Sequence, residues 1–233
     1  METLKIQAAT VESARKFVGG LPLAITPITF RPRFNPEATE MTSIPCPDEL
    51  PAEVDPRQMS LFGSAWTTGS LKHLCESGVD SLTYYETTGW RGVMETEHGS
   101  PLREKFYSLP GSVFPLYHVL ADVGEFLGGR VIPTTSTEPI TANGLAITKD
   151  GRIRVLVANM TIRPERVTVK NFEGVVQLKR LNEITFRQAV VAPEEFRAQS
   201  AETLQSSGAL ELELLPYEVV RIDLRLAARR ARS

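Results

Sequence analysis

Apolar residues recur at helical spacing through the first half of the chain and at alternate positions through the second. The two periods predict two kinds of architecture. Residues 2–18 set Leu4, Ala8, Val11 and Val18 on one stripe and close on Gly19-Gly20, the pattern of a helix. Leu23 to Phe30, LAITPITF, is a near-continuous apolar run, as in a strand buried on both faces of a parallel sheet. Pro27 predicts a bend or an unpaired N–H inside it. Asp55-Pro56-Arg57-Gln58 reads as a helix start, with Asp55 as N-cap, Pro56 first and Gln58 placed to close a capping box. Met59, Phe62, Trp66 and Leu74 extend its apolar face, Gly63 and Gly69 allow close approach to a sheet, and Ser77-Gly78 ends it. Val79 to Tyr85 predicts a second strand. Ser112 then caps a third helix, Val113 to Leu127, which stops at Gly128-Gly129. Alternation of this kind predicts right-handed βαβ units and a parallel sheet.

From about Arg130 the period shortens. Leu145 to Thr148, Arg152 to Ala158, Arg166 to Lys170, Val175 to Leu181 and Leu210 to Leu224 read as strands. Asn143-Gly144, Lys149-Asp150-Gly151 and Glu173-Gly174 supply turns between them, and Pro216 marks an edge or strand switch in the last run. Ala192 to Ser207 is a short helix or a loose loop. The expected fold class is α/β plus all-β: a partial (β/α)8 segment over 1–128, an antiparallel β-sandwich over 129–226 and a disordered basic tail over 227–233.

Chemistry concentrates where the strands end. Val79 to Met94, VDSLTYYETTGWRGVM, delivers Tyr84, Tyr85, Glu86, Trp90 and Arg91 beyond a strand, and the earlier strand ends in Arg31, Arg33 and Asn35, stiffened by Pro32 and Pro36. Both loops follow strand C-termini, so Arg31, Arg33 and Glu86 are expected to converge on one face. Aromatic rings stack on sugar C–H faces while a carboxylate orients hydroxyls, which points to a small polyol or sugar. A plainer reading is that tyrosine and threonine are ordinary strand residues and that Glu86 pairs with Arg91 at a loop edge.

Net charge of −2 and 42% apolar content fit a soluble, cytoplasmic protein, and no apolar run approaches the roughly 18 residues of a membrane span. METLKIQAAT lacks the regions of a signal peptide. Cys46 and Cys75 are read as free thiols. His73, His98 and His118 share no metal-binding spacing, so neither metal nor cofactor is expected. Dinucleotide and phosphate-binding glycine loops are missing, as is the G-x-S-x-G elbow of serine hydrolases. AARRARS lacks the aromatic interleaving of a nucleic-acid patch.

ITPITFRPRFNP, SLFGSAWTTGSLKHLCESG and SLTYYETTGWRGVM, followed by a sandwich closing on LPYEVVRID, together resemble the D-apionate lactonases. That resemblance covers most of Met1 to Leu224. It implies a TIM-barrel domain with β-rich flanking domains, Leu23–Phe30 as barrel strand seven and Val79–Tyr85 as strand eight. A closed barrel takes about 250 residues, so six strands are expected from elsewhere: the rest of a longer chain, a partner barrel half, or self-association. The implied activity is hydrolysis of a sugar-acid lactone. Chemical inference makes Glu86 the acid or base, Arg31 and Arg33 the oxyanion or carboxylate holders, and Tyr84, Tyr85, Trp90, Arg91 and Asn35 the binding wall. A retaining glycoside hydrolase and a non-catalytic carbohydrate-binding fragment are the alternatives.

Overall fold

A computed structural model describes residues 1–32 and 48–226. Helix α1 (Leu4–Val18) turns its two buried residues, Leu4 and Val11, inward and feeds strand β1 (Ala24–Ile28). A single 3-10 turn, Pro56–Met59, precedes α2 (Leu61–Glu76), and β2 (Ser81–Tyr84) lies parallel to β1. The expected βαβ order is therefore present. Asp55 caps the turn by accepting from the Arg57 N–H at 2.9 Å. Gln58 closes no capping box: its amide donates to the Gly92 carbonyl at 2.6 Å instead. The expected burial of the first strand on both faces is not met either. Among β1 residues only Ile28 is buried, because among the described residues β2 is its one neighbour in the sheet.

Helix α2 is packed on almost every side. Ala65 and Leu71 join the cluster that holds Leu4, while Trp66 reaches Val11, Ile28 and Leu74. Its small polar residues are buried with their hydroxyls satisfied: Ser64, Thr67 and Thr68 donate to carbonyls one turn back. Gly69 does permit a close approach, though not to the strands. A Cβ there would stand 2.7 Å from Leu4 Cδ1 and 2.9 Å from Met160 Cε.

Helix α3 spans Leu116–Gly124, and Ser112 is not its cap. The Val113 N–H goes to the Val190 carbonyl and that of Phe114 to the Val93 carbonyl, so tertiary acceptors hold these two residues out of the helix.

Strands β5 (Arg130–Ile132), β6 (Ala142–Lys149), β7 (Arg152–Asn159), β8 (Glu165–Leu181), β9 (Glu202–Leu214) and β10 (Val219–Arg225) form one antiparallel sheet, ordered β5-β6-β7-β10-β8-β9. The hairpin at Lys149-Asp150-Gly151 is formed, with Asp150 and Gly151 at φ 50° and 70°. Two expected turns are not turns. Asn143-Gly144 lies inside β6 against Val157 and Ala158, and Glu173-Gly174 lies inside β8 against Ser206 and Ser207. Long β8 instead shifts register between Lys170 and Phe172, where Asn171 takes φ 66°. Ala192–Ser207 divides: α5 (Pro193–Ala198) follows α4 (Phe186–Val191), and the rest opens β9.

Both faces of this sheet are apolar. One buries Val155, Val157, Val176, Leu178, Leu210, Leu212, Val220 and Ile222 among the strands themselves. The other carries Leu145, Ile147, Leu156, Ala158 and Val219 into the cluster shared with Leu4, Ala65 and Val119. Buried Arg154 stitches the junction, donating to Asp223 at 2.7 Å, Glu125 at 2.6 Å and the Asp122 carbonyl at 2.8 Å.

Candidate functional site

Strand alternation decides where the tyrosines go. Leu82 and Tyr84 share the face of β2 that packs on the buried Val11, Ile28 and Leu74. Ser70 Oγ donates to Gln7 at 2.8 Å and so receives the Tyr84 hydroxyl proton, also at 2.8 Å. Tyr85 is buried, stacked on Phe30 at 5.7 Å, and donates to Thr67 Oγ1 at 2.8 Å, since that hydroxyl is committed to the Gly63 carbonyl. Burial pushes both phenols well above their usual range. The rings expected to flank Glu86 are thus sealed against helix α2, Tyr85 wholly and Tyr84 largely.

Tyr85 takes the left-handed conformation, φ 53°, which ends the strand and turns the chain. Glu86 then opens β3 (Glu86–Thr88), which pairs with β4 (Gly92–Met94) across a tight loop. Gly92 is required here, because a Cβ would lie 2.7 Å from the Thr87 carbonyl oxygen. The Glu86 N–H donates to the Arg91 carbonyl at 2.9 Å. Its carboxylate meets Arg91 Nη2 at 3.2 Å, and Arg91 Nη1 meets Glu53 at 3.3 Å. These three side chains are each about a third exposed, at 35%, 35% and 34%. The plainer sequence reading, Glu86 paired with Arg91, is what the geometry shows, with a second carboxylate on the same guanidinium.

Arg31 reaches the same neighbourhood from β1. It donates to the Ala52 carbonyl at 3.2 Å and stands 3.6 Å from Asp55. Asp55 is bound from the other side by Arg57, at 2.9 and 2.7 Å. Burial pushes the Asp55 carboxyl up, but the Arg57 side chain and N–H, with Arg31 behind them, outweigh it and hold the group below its usual value. Among the described residues the two strand ends are joined through the segment 52–57, where Arg31 meets Asp55 and Arg91 meets Glu53. Arg33 and Asn35 lie outside the described residues, as do Cys46 and residues 227–233. Trp90 is partly buried, its ring 6.5 Å from Phe106 and its indole N–H on Ser100 at 2.8 Å.

Sequence reasoning missed Glu53 and gave Asp55 only a capping role. The available signal was an acidic pair around a proline-bounded turn, PAEVDP, ahead of a helix facing two arginine-bearing loops. Glu95, just after β4, is a further acid that is buried: it accepts from the Thr96 N–H at 2.7 Å and is bonded by Ser108. Among the described residues no group of three His, Cys, Asp or Glu stands together as a metal site, and no helix is long and apolar enough to cross a membrane. Cys75 is a free thiol pushed up to about 11 by burial and by Glu76.

Two family models match the sequence: the D-apionate lactonase TIM-barrel domain over residues 1–128, and the D-apionate lactonase C-terminal immunoglobulin-like domain over 139–222. No curated protein matches. Among solved structures, a GH30 endoxylanase from Clostridium papyrosolvens is 11% identical with a TM-score of 0.57, over 95% of this chain and 46% of that one. CelM2, a bifunctional glucanase-xylanase from a metagenome library, is 13% identical with a TM-score of 0.59, over 94% and 34%. An α-L-arabinofuranosidase from Thermotoga maritima is 12% identical with a TM-score of 0.54, over 96% and 49%. Nearly the whole chain thus aligns with less than half of each of these proteins.

Proposed function

Because the chain belongs to the D-apionate lactonase family, we propose that it forms the last two βα units and closing β domain of a carbohydrate-active hydrolase that opens a sugar-acid lactone. One observation carries this reading: Glu86, at the C-terminal end of the second parallel strand, is fixed at its backbone and carboxylate by Arg91 yet keeps about a third of its surface open. Active sites of such barrels sit at this end of the strands.

Opening a lactone needs a water, a base to take its proton, and positive charge or N–H groups for the oxygen that becomes negative. An ionised carboxylate only accepts hydrogen bonds, so Glu86 can orient a water and take its proton as the C–O bond forms. Arg91, already beside it, holds Glu86 in register and supplies a neighbouring cation. Arg31, with almost half its side chain exposed, is the positive group nearest the end of β1, and Arg33 follows two residues later in sequence. Either can hold the oxyanion or the carboxylate released on opening. Trp90 supports the loop and offers its exposed edge to the ring of the substrate.

In the complete protein, Glu86→Gln keeps the shape and loses the proton acceptor. The expected result is a fall in kcat of about 10²–10⁴-fold with substrate affinity little changed. Near-full kcat in that variant moves the base to another strand. A second reading, glycoside hydrolysis, is favoured by Glu86 and Glu53 sharing one guanidinium, since that reaction needs two carboxylates about 5–10 Å apart. Lactone opening and aryl-glycoside cleavage assayed side by side separate the two. If neither proceeds while sugar binding persists, the site is a binding module.

A further inference from the structure

An open groove of about 550 Å³ runs along the junction of the two architectures, at the N-terminal end of α2. Arg57, Ser60 and Phe62 line one side, and Glu183, Phe186 and Tyr217 the other. Its lining comes from the turn before α2, the first residues of α2 and the β domain, whereas Glu86 follows β2 and is not among the lining residues. The segment 52–57 connects them: Glu53 holds Arg91, and Asp55 holds Arg57.

The groove has the composition of a saccharide site. Tyr217 stands edge-on to Phe62, at 5.4 Å and 81°, so the two rings form an apolar corner. Polar groups surround it with capacity to spare. Arg57 lies over the Phe62 ring at 4.5 Å and spends Nε and Nη2 on Asp55, which leaves the Nη1 donors for a ligand. Ser60 Oγ donates to the Arg57 carbonyl and keeps its acceptor lone pairs. Glu183 is exposed at the opposite wall. Tyr217 itself is held at φ 53°, a conformation disfavoured for a bulky residue, by a hydrogen bond from its N–H to the Thr161 carbonyl at 3.1 Å.

Charge selects among sugars. Arg57 shares Asp55 with Arg31, and Glu183 balances the positive charge that remains, so the groove has no net charge to attract a sugar acid and accepts uncharged hydroxyls. We propose that this groove is a binding site for the ring of a neutral saccharide, distinct from the Glu86 cluster. The C–H face of the sugar packs into the Phe62–Tyr217 corner while its hydroxyls bond to Arg57 Nη1, Ser60 and Glu183. The volume lies within the roughly 300–1,000 Å³ range of small-molecule sites.

The test uses the 233-residue chain, with xylotriose as the neutral probe and D-gluconate as the anionic one, followed by saturation-transfer NMR. Xylotriose is expected to receive saturation and gluconate to receive much less. Tyr217→Asn, which tolerates the left-handed backbone, and Glu183→Ala, a change at an exposed position, are each expected to weaken xylotriose binding about tenfold, with the circular dichroism spectrum unchanged. Glu86→Gln is expected to leave it untouched, which separates this groove from the proposed catalytic site. No transfer to xylotriose, equal or stronger transfer to gluconate, or unaltered affinity in Glu183→Ala overturns the proposal. Should Tyr217→Asn misfold, Glu183→Ala alone decides.

Discussion

Two of the three sheets among the described residues solve the problem of burial in opposite ways. The β1–β2 pair has two strands, and among its nine residues Ile28 alone is buried. In the C-terminal sheet β10 is bonded on both sides, by β7 and β8, and buries Val219, Val220, Ile222 and Leu224. The second sheet supplies its own neighbours. The first depends on α1 and α2 behind it and leaves its other face, with Ser81 and Thr83, to solvent. Strand pairing contributes to stability chiefly through the side chains packed across it. The candidate chemistry is thus carried by the less self-sufficient part, and the stability by the other.

The most decisive break of this contrast is the state of association. Unpaired strand edges and exposed Phe17, Leu21 and Leu127 are expected to make the isolated chain self-associate, visible as a concentration-dependent mass in sedimentation. A monodisperse monomer that unfolds in one cooperative step contradicts it. Next in size is a paired core truncation. Ile222→Ala is expected to cost about 2–5 kcal/mol by urea denaturation, and Leu82→Ala in β2, only partly buried, clearly less. Equal costs would erase the difference between the sheets.

Arg154 tests what joins them. Arg154→Ala is expected to cost about 1–3 kcal/mol, less than a fully enclosed pair because Asp223 and Glu125 remain partly solvated. Arg154→Met, whose thioether can take the place of the guanidinium that lies 4.8 Å from the Phe126 ring centroid, should recover part of it. His118 gives the smallest effect. Burial pushes its imidazole below the usual value, with Arg197 adding to this and the Nε2 bond to the Ala189 carbonyl opposing it. The unfolded chain therefore takes up a proton first. This contribution to stability is whole above about pH 6.5 and fades as pH falls toward the lower folded value. Melting temperatures between pH 7.5 and 5.5 should show that slope, and His118→Phe should flatten it.

Local chemistry was legible. The stripe of α1, the Gly78 stop at φ 73°, and the Asp150-Gly151 turn depend on residues close in sequence, and all stand where the pattern places them. What depends on a distant partner was not. Glu173-Gly174 looks like a turn until Ser206 and Ser207 pair with it, and Ser112 looks like a cap until Val190 and Val93 claim the next two N–H groups. The site follows the same division. Glu86 and Arg91, five residues apart, are legible as a pair, whereas the Glu53 and Asp55 contacts arrive from another loop. Tyrosine is a residue type that suits a sugar site, but both Tyr84 and Tyr85 turn their hydroxyls to Ser70 and Thr67 of α2, which the sequence pattern does not reveal.

The cluster shared by Leu4, Ala65, Leu145, Leu156 and Val219 bears on how such a molecule can be taken apart. The Gly128-Gly129 link is exposed, and there the sequence changes character, so a protease or a recombination event would act there. Severing it cuts the chain without separating the pieces, because both line one apolar cluster. Two fragments divided at that point should co-purify. Neither should be exchangeable for a homologous piece unless the residues facing α2 are exchanged with it.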